Sequence, residues 1–591
     1  MNTKNNKAPF FIKSTFFSRI AIPDIFTYPL NETQILLLSG IIVGIGTGIG
    51  AVIFRELIAR FTYFFFHILR PLLETILGTY AIIIIPAIGA LIFGPLIYFF
   101  AREAKGHGVP EVMYAVAQKG GKIRPVVALV KSLASALCIG SGGSVGREGP
   151  IVQIGSALGS TWGQLFNMSE SRVKMLVACG AAGGIAATFN APIAGVFFAL
   201  EVIIGEFSSK AFGIVVIASV TASVIGRMAF GDVPAFPLPE YTESMQEIPF
   251  YILLGVLGAF IGIWFMKTLY WFEDRFDAIK IPEYIKPVTG ALLLGTLALF
   301  VPQILGVGYP AMSDALSGHY AFDFLALLVL AKIIAVSLTL GAGGSGGVFA
   351  PSLFIGAMFG EAFGTLMQKF YPSLIFHPSN FGLVGMAAVF TGAARAPITA
   401  IIILFELTGN YAIILPLMAA IVISTIVSES LSKETIYTLK LKRRGIDIYA
   451  DRTSDIMKKL KVHQAISTNF IILKDVTIVT KAIDRLKRKS HHAILVKDKK
   501  NNIIGIVTLY ELEQEVINSN EKTTLKEIIR SQPSPLYEYE SLADAVRKME
   551  AYDQKILPVF SSKESIKPTG VINHETVFKA YSQALLAEHK R

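Results

Sequence analysis

Two well-separated stretches of this chain repeat one unusual pattern. Gly140–Gly159 reads GSGGSVGREGPIVQIGSALG, and Gly341–Gly360 reads GAGGSGGVFAPSLFIGAMFG. Each is a glycine-rich turn, then a proline, then a run of small residues suited to a close-packed helix. Each is followed by a second match in the same order, AATFNAPIAGVFFALEVI at Ala186–Ile203 and TGAARAPITAIIILFELT at Thr391–Thr408. The intervals Pro150 to Pro192 and Pro351 to Pro397 are nearly equal. Two ordered matches of this kind imply an internally duplicated fold.

The duplicated part sits in an apolar context. The chain of 591 residues is 53% hydrophobic and 16% charged, against about 25% charged in an average soluble protein. The shortfall lies in residues 33–430, whereas residues 440–591 have an ordinary soluble composition. Runs such as Ile35–Phe54, Tyr80–Phe100 and Phe324–Leu340 approach the ~20 residues a helix needs to cross a bilayer. Glycine and proline break such runs at corresponding points in the two halves. Broken helices persist in lipid only where protein buries them or where they line a cavity. Paired breaks in two repeats point to a binding site near the membrane midplane. Glycine-rich helix starts bring backbone N–H groups and positive helix ends toward one point, which attracts anions. Close helix packing alone accounts for some of the 51 glycines, but not for the matched Gly-Gly-Ser-x-Gly-x-x-x-Pro pattern at Gly142–Pro150 and Gly343–Pro351.

The formal charge of +11 reads as topology rather than as a nucleic-acid surface. Basic residues precede the first span, and Lys440, Lys442, Arg443 and Arg444 follow the last. Positive flanks stay inside, so both termini are expected in the cytoplasm. The first 25 residues lack the apolar core and cleavage site of a secretory signal. Cys138 and Cys179 lie in apolar segments and are expected only to pack.

Two motifs fail on context. Gly341, Gly343 and Gly346 satisfy G-x-G-x-x-G, but a membrane-length apolar run precedes them where a dinucleotide site needs a strand. Ser144 and Ser345 each sit in G-x-S-x-G, again without the strand a nucleophile elbow requires. The sequence has no P-loop, no H-E-x-x-H and no metal-ligand spacing among its nine histidines. An enzyme is not expected, and no cofactor or metal is required.

Four ordered signatures give the chain its resemblance. Gly106–Pro110 reads GHGVP, Gly146–Pro150 reads GREGP, Gly347–Pro351 reads GVFAP, and Tyr437 follows the last span. In these the chain resembles the CLC family of chloride channels and chloride/proton antiporters over roughly residues 35–445. The resemblance implies a homodimer with one anion pathway per subunit, built from two inverted-topology repeats in an all-α membrane domain. It implies anion coordination by the backbone around Arg147–Gly149 and around Val348, Phe349 and Ala350, and by the Tyr437 hydroxyl. It also implies that Glu148 is the gate. A carboxylate inside a membrane segment costs about 2.5 kcal/mol or more. When ionised it is a tethered anion able to block an anion site; when protonated it is free to leave. The alternative is a carboxylate that only satisfies N–H groups at a helix start. Arg147 is expected to pair or to raise the local potential. Lys131 either adds to that field or snorkels to the interface. Glu201 and Glu406, at the same spacing after Pro192 and Pro397, are expected at structural helix ends.

The sequence departs from the family twice. Proton-coupled members carry a second glutamate where this chain has Val202, which cannot relay a proton. This favours a glutamate-gated, voltage- or pH-dependent chloride channel, with a chloride/proton antiporter as the alternative and Glu206 as a substitute acid. A nucleotide-sensing membrane protein is a remote third reading. His107 replaces the family's selectivity serine. It offers an N–H donor or a cationic ring, or it turns away and leaves the anion to backbone amides.

The organisation expected is a cytoplasmic segment 1–32, a membrane domain 33–445, and a cytoplasmic α/β tail 446–591. Within the tail, helices Ala482–Leu486 and Ala545–Met549 precede strands Ala493–Lys497 and Ile556–Phe560 at the same interval. The tail resembles a tandem CBS pair, at about 453–520 and 523–585. In such pairs a Thr with an acid three residues on contacts ribose. Thr508 and Glu511 fit this, whereas Asn573 and Thr576 do not. An adenine nucleotide at one cleft is the less favoured reading, and a dimer-stabilising module without ligand the preferred one. The expected setting is the inner cell membrane, with small anions, lipid and a second copy as partners and no nucleic acid.

Overall fold

The computed structural model describes residues 31–232, 245–375, 377–446, 457–458, 460–488, 493–517, 523–529 and 533–589. The N-terminal segment 1–30 lies outside them. The chain forms two compact units that divide between Ile446 and Asp447.

The first unit is helical. Its first half contains α1 Glu32–Tyr63, α2 Arg70–Leu77, α3 Ala81–Phe100, α4 Val109–Gln118, α5 Val126–Gly140, α6 Glu148–Leu165, α7 Glu170–Phe189, α8 Pro192–Phe198 and α9 Ser209–Phe230. Its second half contains α10 Ile248–Ala278, α11 Lys286–Phe300, α12 Tyr309–Leu316, α13 Phe322–Gly341, α14 Phe349–Phe370, α15 Pro378–Ala394, α16 Pro397–Thr408, α17 Ile414–Leu431 and α18 Thr438–Arg443. Among the described residues, seven segments are long and apolar enough to cross a membrane, from Glu32–Phe100 to Tyr411–Leu431. Shorter apolar helices lie between them, as the glycine and proline breaks predict.

α1 shows how the sequence builds a membrane helix. Asn31 and Gln34 form a reciprocal capping box at its start. Its inward stripe is mostly small: Ser39, Gly40, Gly44, Thr47, Gly48 and Ala51 are buried, together with Leu36, Val43 and Phe54. Its outward stripe is large and apolar: Leu38, Ile42, Ile45, Ile49 and Ile53 are exposed. Small residues let helices approach where lipid supplies no hydrophobic drive between them. A Cβ added at Gly44 would stand 2.6 Å from the Ala218 carbonyl oxygen, and one at Gly48 3.2 Å from Ala222 of α9, both closer than van der Waals contact.

The duplication is visible in the packing. α1 packs on α7 and α9, and α10 packs on α15 and α17. α6 packs on α7, and α14 packs on α15. Reciprocal polar contacts join the halves. Ser144 donates to the Ile304 carbonyl at 2.7 Å, and Ser345 donates to the Ala104 carbonyl at 2.8 Å. The two serines of the rejected nucleophile motif are therefore pins between repeats. Glu201 accepts from the Ile398 and Thr399 amides at 3.1 and 2.8 Å, at the start of α16. Glu406 accepts from the Ile193 and Ala194 amides at 3.0 and 2.7 Å, at the start of α8. Both carboxylates satisfy orphan donors of a helix start in the other half. Cys138 and Cys179 are buried and unpaired.

The second unit holds two three-stranded sheets. β1 Phe470–Lys474 pairs parallel with β2 Ala493–Lys497, which pairs antiparallel with β3 Ile503–Thr508. β4 Leu536–Tyr537, β5 Ile556–Phe560 and β6 Pro568–Asn573 repeat that order. Each sheet packs its own apolar cluster, centred on Ile494, Val496 and Val507 in one and on Leu557, Val559 and Ile572 in the other. Thr508 donates from its amide and its hydroxyl to the Glu511 carboxylate, both at 2.8 Å, so these side chains cap the helix that begins at Leu509.

Candidate anion pathway

The site forms where glycine loops let helix starts meet. Gly146 and Gly347 exchange backbone hydrogen bonds of 2.8 and 2.6 Å just before α6 and α14 begin. Gly106 donates to the Gly344 carbonyl at 2.9 Å, ahead of α4. A Cβ on Gly149 would stand 2.1 Å from the His107 carbonyl, so only glycine fits there. Gly108, at φ +77°, takes the left-handed turn that starts α4. The starts of α4, α6 and α14 thus come together, and their first-turn N–H groups have no partner within their own helices.

Glu148 is buried at this junction. One carboxylate oxygen accepts the Ala350 amide at 3.3 Å, and the other accepts the Tyr309 hydroxyl at 3.2 Å. A carboxylate from α6 therefore takes a first-turn amide of α14, a donor with no partner in its own helix. Beside it lies a cavity lined by His107, Gly149, Phe189, Val348, Phe349 and Tyr437, among others. Of the residues expected at the site, Glu148, His107, Gly149, Val348, Phe349 and Tyr437 line one void, and Ala350 is held by the Glu148 carboxylate.

Arg147 behaves differently. Its guanidinium lies over the rings of Phe189 and Tyr309, each at 5.1 Å. Its side chain packs rather than facing the cavity; the cation–π faces and the helix start at Glu148 direct it there. Lys131 does not snorkel. It is fully buried, and its ammonium donates to the Ala104 and Gly106 carbonyls at 3.0 and 2.8 Å. The carbonyls of the broken segment between α3 and α4 need donors, and no water reaches them in a packed interior. Lys332 does the same in the second half, donating to the Ile304 and Gly306 carbonyls at 2.9 and 3.0 Å. Val202 lies in the π-helical turn Ala199–Ile204 beside Glu201, and Glu206 is exposed beyond it.

Several functional contacts escaped the sequence reading. Tyr309 belongs to GVGYP at Gly306–Pro310, the internal counterpart of GHGVP, and an alignment of the two loops would have found it. Lys332 matches Lys131 in the same way. Lys440 is buried, with its ammonium 3.5 Å from the Lys105 carbonyl and packed against Gly106. Tyr270, in the last third of α10, donates to the Ile436 carbonyl at 2.6 Å and stands 3.3 Å from His107 Nε2. No local signal marks it. Among the described residues no cluster could hold a metal ion.

A duplicated helical membrane domain with broken helices meeting at a buried carboxylate defines an ion-transport protein. The family described as voltage gated chloride channel matches residues 89–429, and the CBS domain family matches residues 462–517. The chain belongs to the CLC family, whose members are transporters and not enzymes. It is 36% identical over 375 residues to an H(+)/Cl(-) exchange transporter, ClcA, of Vibrio parahaemolyticus, covering 61% of this chain and 79% of that one. It is 30% identical over 413 residues to a putative chloride channel protein, ClcB-like, of Ralstonia nicotianae, covering 69% and 96%. Among solved structures, a slow cyanobacterial Cl-/H+ antiporter matches with TM-score 0.65 and 28% identity, over 70% of this chain and 99% of that one.

Proposed function

We propose that the chain is a chloride-conducting member of its family in which Glu148 is the gate. The observation that carries this reading is the Glu148 carboxylate seated on the Ala350 amide at 3.3 Å. An ionised carboxylate there excludes a free anion by charge and by volume. Protonation removes the charge that holds it, and the anion takes its place on the same donors. The backbone at Gly149 and Val348–Ala350 and the Tyr437 hydroxyl then serve the passing ion. Thr508 and Glu511 spend their polar groups on each other, which supports a tail that acts without a nucleotide. The protein works as a homodimer in the inner cell membrane, as the resemblance to its family implies, and the basic flanks support both termini in the cytoplasm.

Conduction without stoichiometric proton exchange follows from Val202 and from Glu201, whose carboxylate is spent on the start of α16. A titratable waystation is needed to carry a proton through an apolar interior. The second reading is chloride/proton exchange, favoured by the exchange activity named for the Vibrio relative. Proteoliposomes loaded with a chloride gradient separate the two. Chloride efflux that rises as pH falls, with no proton pumped uphill, supports a gated conductor. Uphill proton movement in fixed ratio to chloride overturns it in favour of exchange. Absence of chloride flux overturns both.

A further inference from the structure

Among the described residues that line the cavity, His107 Nδ1 is the buried side-chain polar atom without a hydrogen-bond partner. The ring is 3% exposed, so bulk water does not serve it. Its other nitrogen decides what Nδ1 presents. The Tyr270 hydroxyl donates its single hydrogen to the Ile436 carbonyl, which can only accept. At 3.3 Å, His107 Nε2 must therefore bring the hydrogen for its contact with the Tyr270 oxygen. A neutral imidazole has one N–H, and the partner of one nitrogen fixes the state of the other. Nδ1 accordingly carries an unpartnered lone pair on a ring that lines the void with Glu148 and Tyr437. Where the family's serine donates an O–H, this chain presents an acceptor.

A lone pair repels a halide, so an anion beside Nδ1 needs a proton on that nitrogen. The charged groups around the ring set when this happens. Lys131 from α5 and Lys440 from α18 both press on Gly106, the residue before His107. Arg444 follows α18 and is paired with Glu111 of α4 at 2.5 Å. Glu148 enters from α6, and Tyr270 and Tyr437 present hydroxyls. With the cavity empty of anion, the lysines oppose a cationic ring. An anion in contact with the ring reverses the balance.

Resting on the chloride reading above, we propose that His107 takes up one proton at Nδ1 as the anion binds, so that halide and proton load the cavity together. The new N–H donates to the anion, Nε2–H stays on Tyr270, and the proton comes from water. Tyr270 acts as the positioning residue that holds the tautomer.

The test uses the purified full-length protein carrying Glu148→Gln, which removes the other titrating group of the cavity. Chloride binding is followed by calorimetry in buffers of different ionisation heat, which counts protons taken up. About one proton per chloride is expected, with affinity weakening by up to about tenfold per unit rise in pH by linkage. Adding His107→Ser should abolish the uptake. Adding Tyr270→Phe releases the tautomer, lets Nδ1 carry the hydrogen without an extra proton, and should reduce the uptake well below one. Chloride binding with no proton uptake in the Glu148→Gln protein overturns the inference and leaves the anion site standing. Full uptake retained in both added variants places the proton elsewhere and also overturns it. No chloride binding in any of these proteins sinks the anion-site reading itself.

Discussion

Removing the Tyr309 hydroxyl should move the pH at which the pathway opens. Tyr309 donates to the Glu148 carboxylate at 3.2 Å. A hydrogen bond to a charged acceptor is worth about 1.5–3 kcal/mol, and the long contact puts this one near the lower end. The bond stabilises the ionised, seated carboxylate and does nothing for a protonated one that has left. Tyr309→Phe therefore weakens only the closed state. At about 1.4 kcal/mol per pH unit, the pH of half-maximal chloride efflux from proteoliposomes should rise by about one unit. The same substitution on a Glu148→Gln background, where no carboxylate is left to titrate, should cause no further shift in the pH dependence of efflux. A midpoint that stays put or falls in Tyr309→Phe would refute the seated-carboxylate account.

Gly149→Ala should abolish chloride efflux in protein that still inserts, because the new Cβ meets the His107 carbonyl at 2.1 Å; normal efflux would show that the helix starts do not need this approach. Lys332→Met strands the Gly306 carbonyl, since Ser144 still donates to that of Ile304, at about 1–3 kcal/mol, and should lower the thermal midpoint in detergent about as much as Lys131→Met, which leaves Ala104 served by Ser345. Removing residues 453–591 should leave chloride efflux, since every anion-site residue precedes them; loss of flux from inserted protein would contradict that division. In the tail, the Ser541 hydroxyl bonded to Asp544 at 2.7 Å holds that carboxyl below the usual carboxylate range. The stabilisation is present above the ordinary carboxylate pKa of about 3.9 and is lost as pH falls through the lower folded value. Ser541→Ala should therefore cost about 1 kcal/mol near neutral pH, read as roughly fivefold faster amide exchange along Leu542–Ala551, with less difference in acid.

The repeat carried most of what could be read in advance. Matched glycines and prolines located the broken helices, and a carboxylate in GREGP pointed to the junction of helix starts, because lipid tolerates neither without a reason. Helix ends were less legible. The first apolar run, Ile35–Phe54, became a helix from Glu32 to Tyr63, since capping by Asn31 and continued packing outlast the apolar stretch. The fates of Arg147 and Lys131 depended on partners far away in sequence: two aromatic rings for one, two carbonyls of a broken segment for the other. Tyr270 was invisible for the same reason, as a polar group in a long apolar helix whose partner lies 163 residues away. Tyr309 and Lys332 were legible through the duplication, had the comparison been extended to Gly306–Pro310 and α13.

The central claim is that the Glu148 carboxylate occupies an anion's place on the start of α14. Anomalous scattering from bromide in crystals of the wild-type protein and of Glu148→Gln tests it directly. A bromide beside the Ala350 amide in Glu148→Gln, with none there in the wild type at neutral pH, is the result expected. Bromide at that amide in both proteins, or in neither, would contradict it.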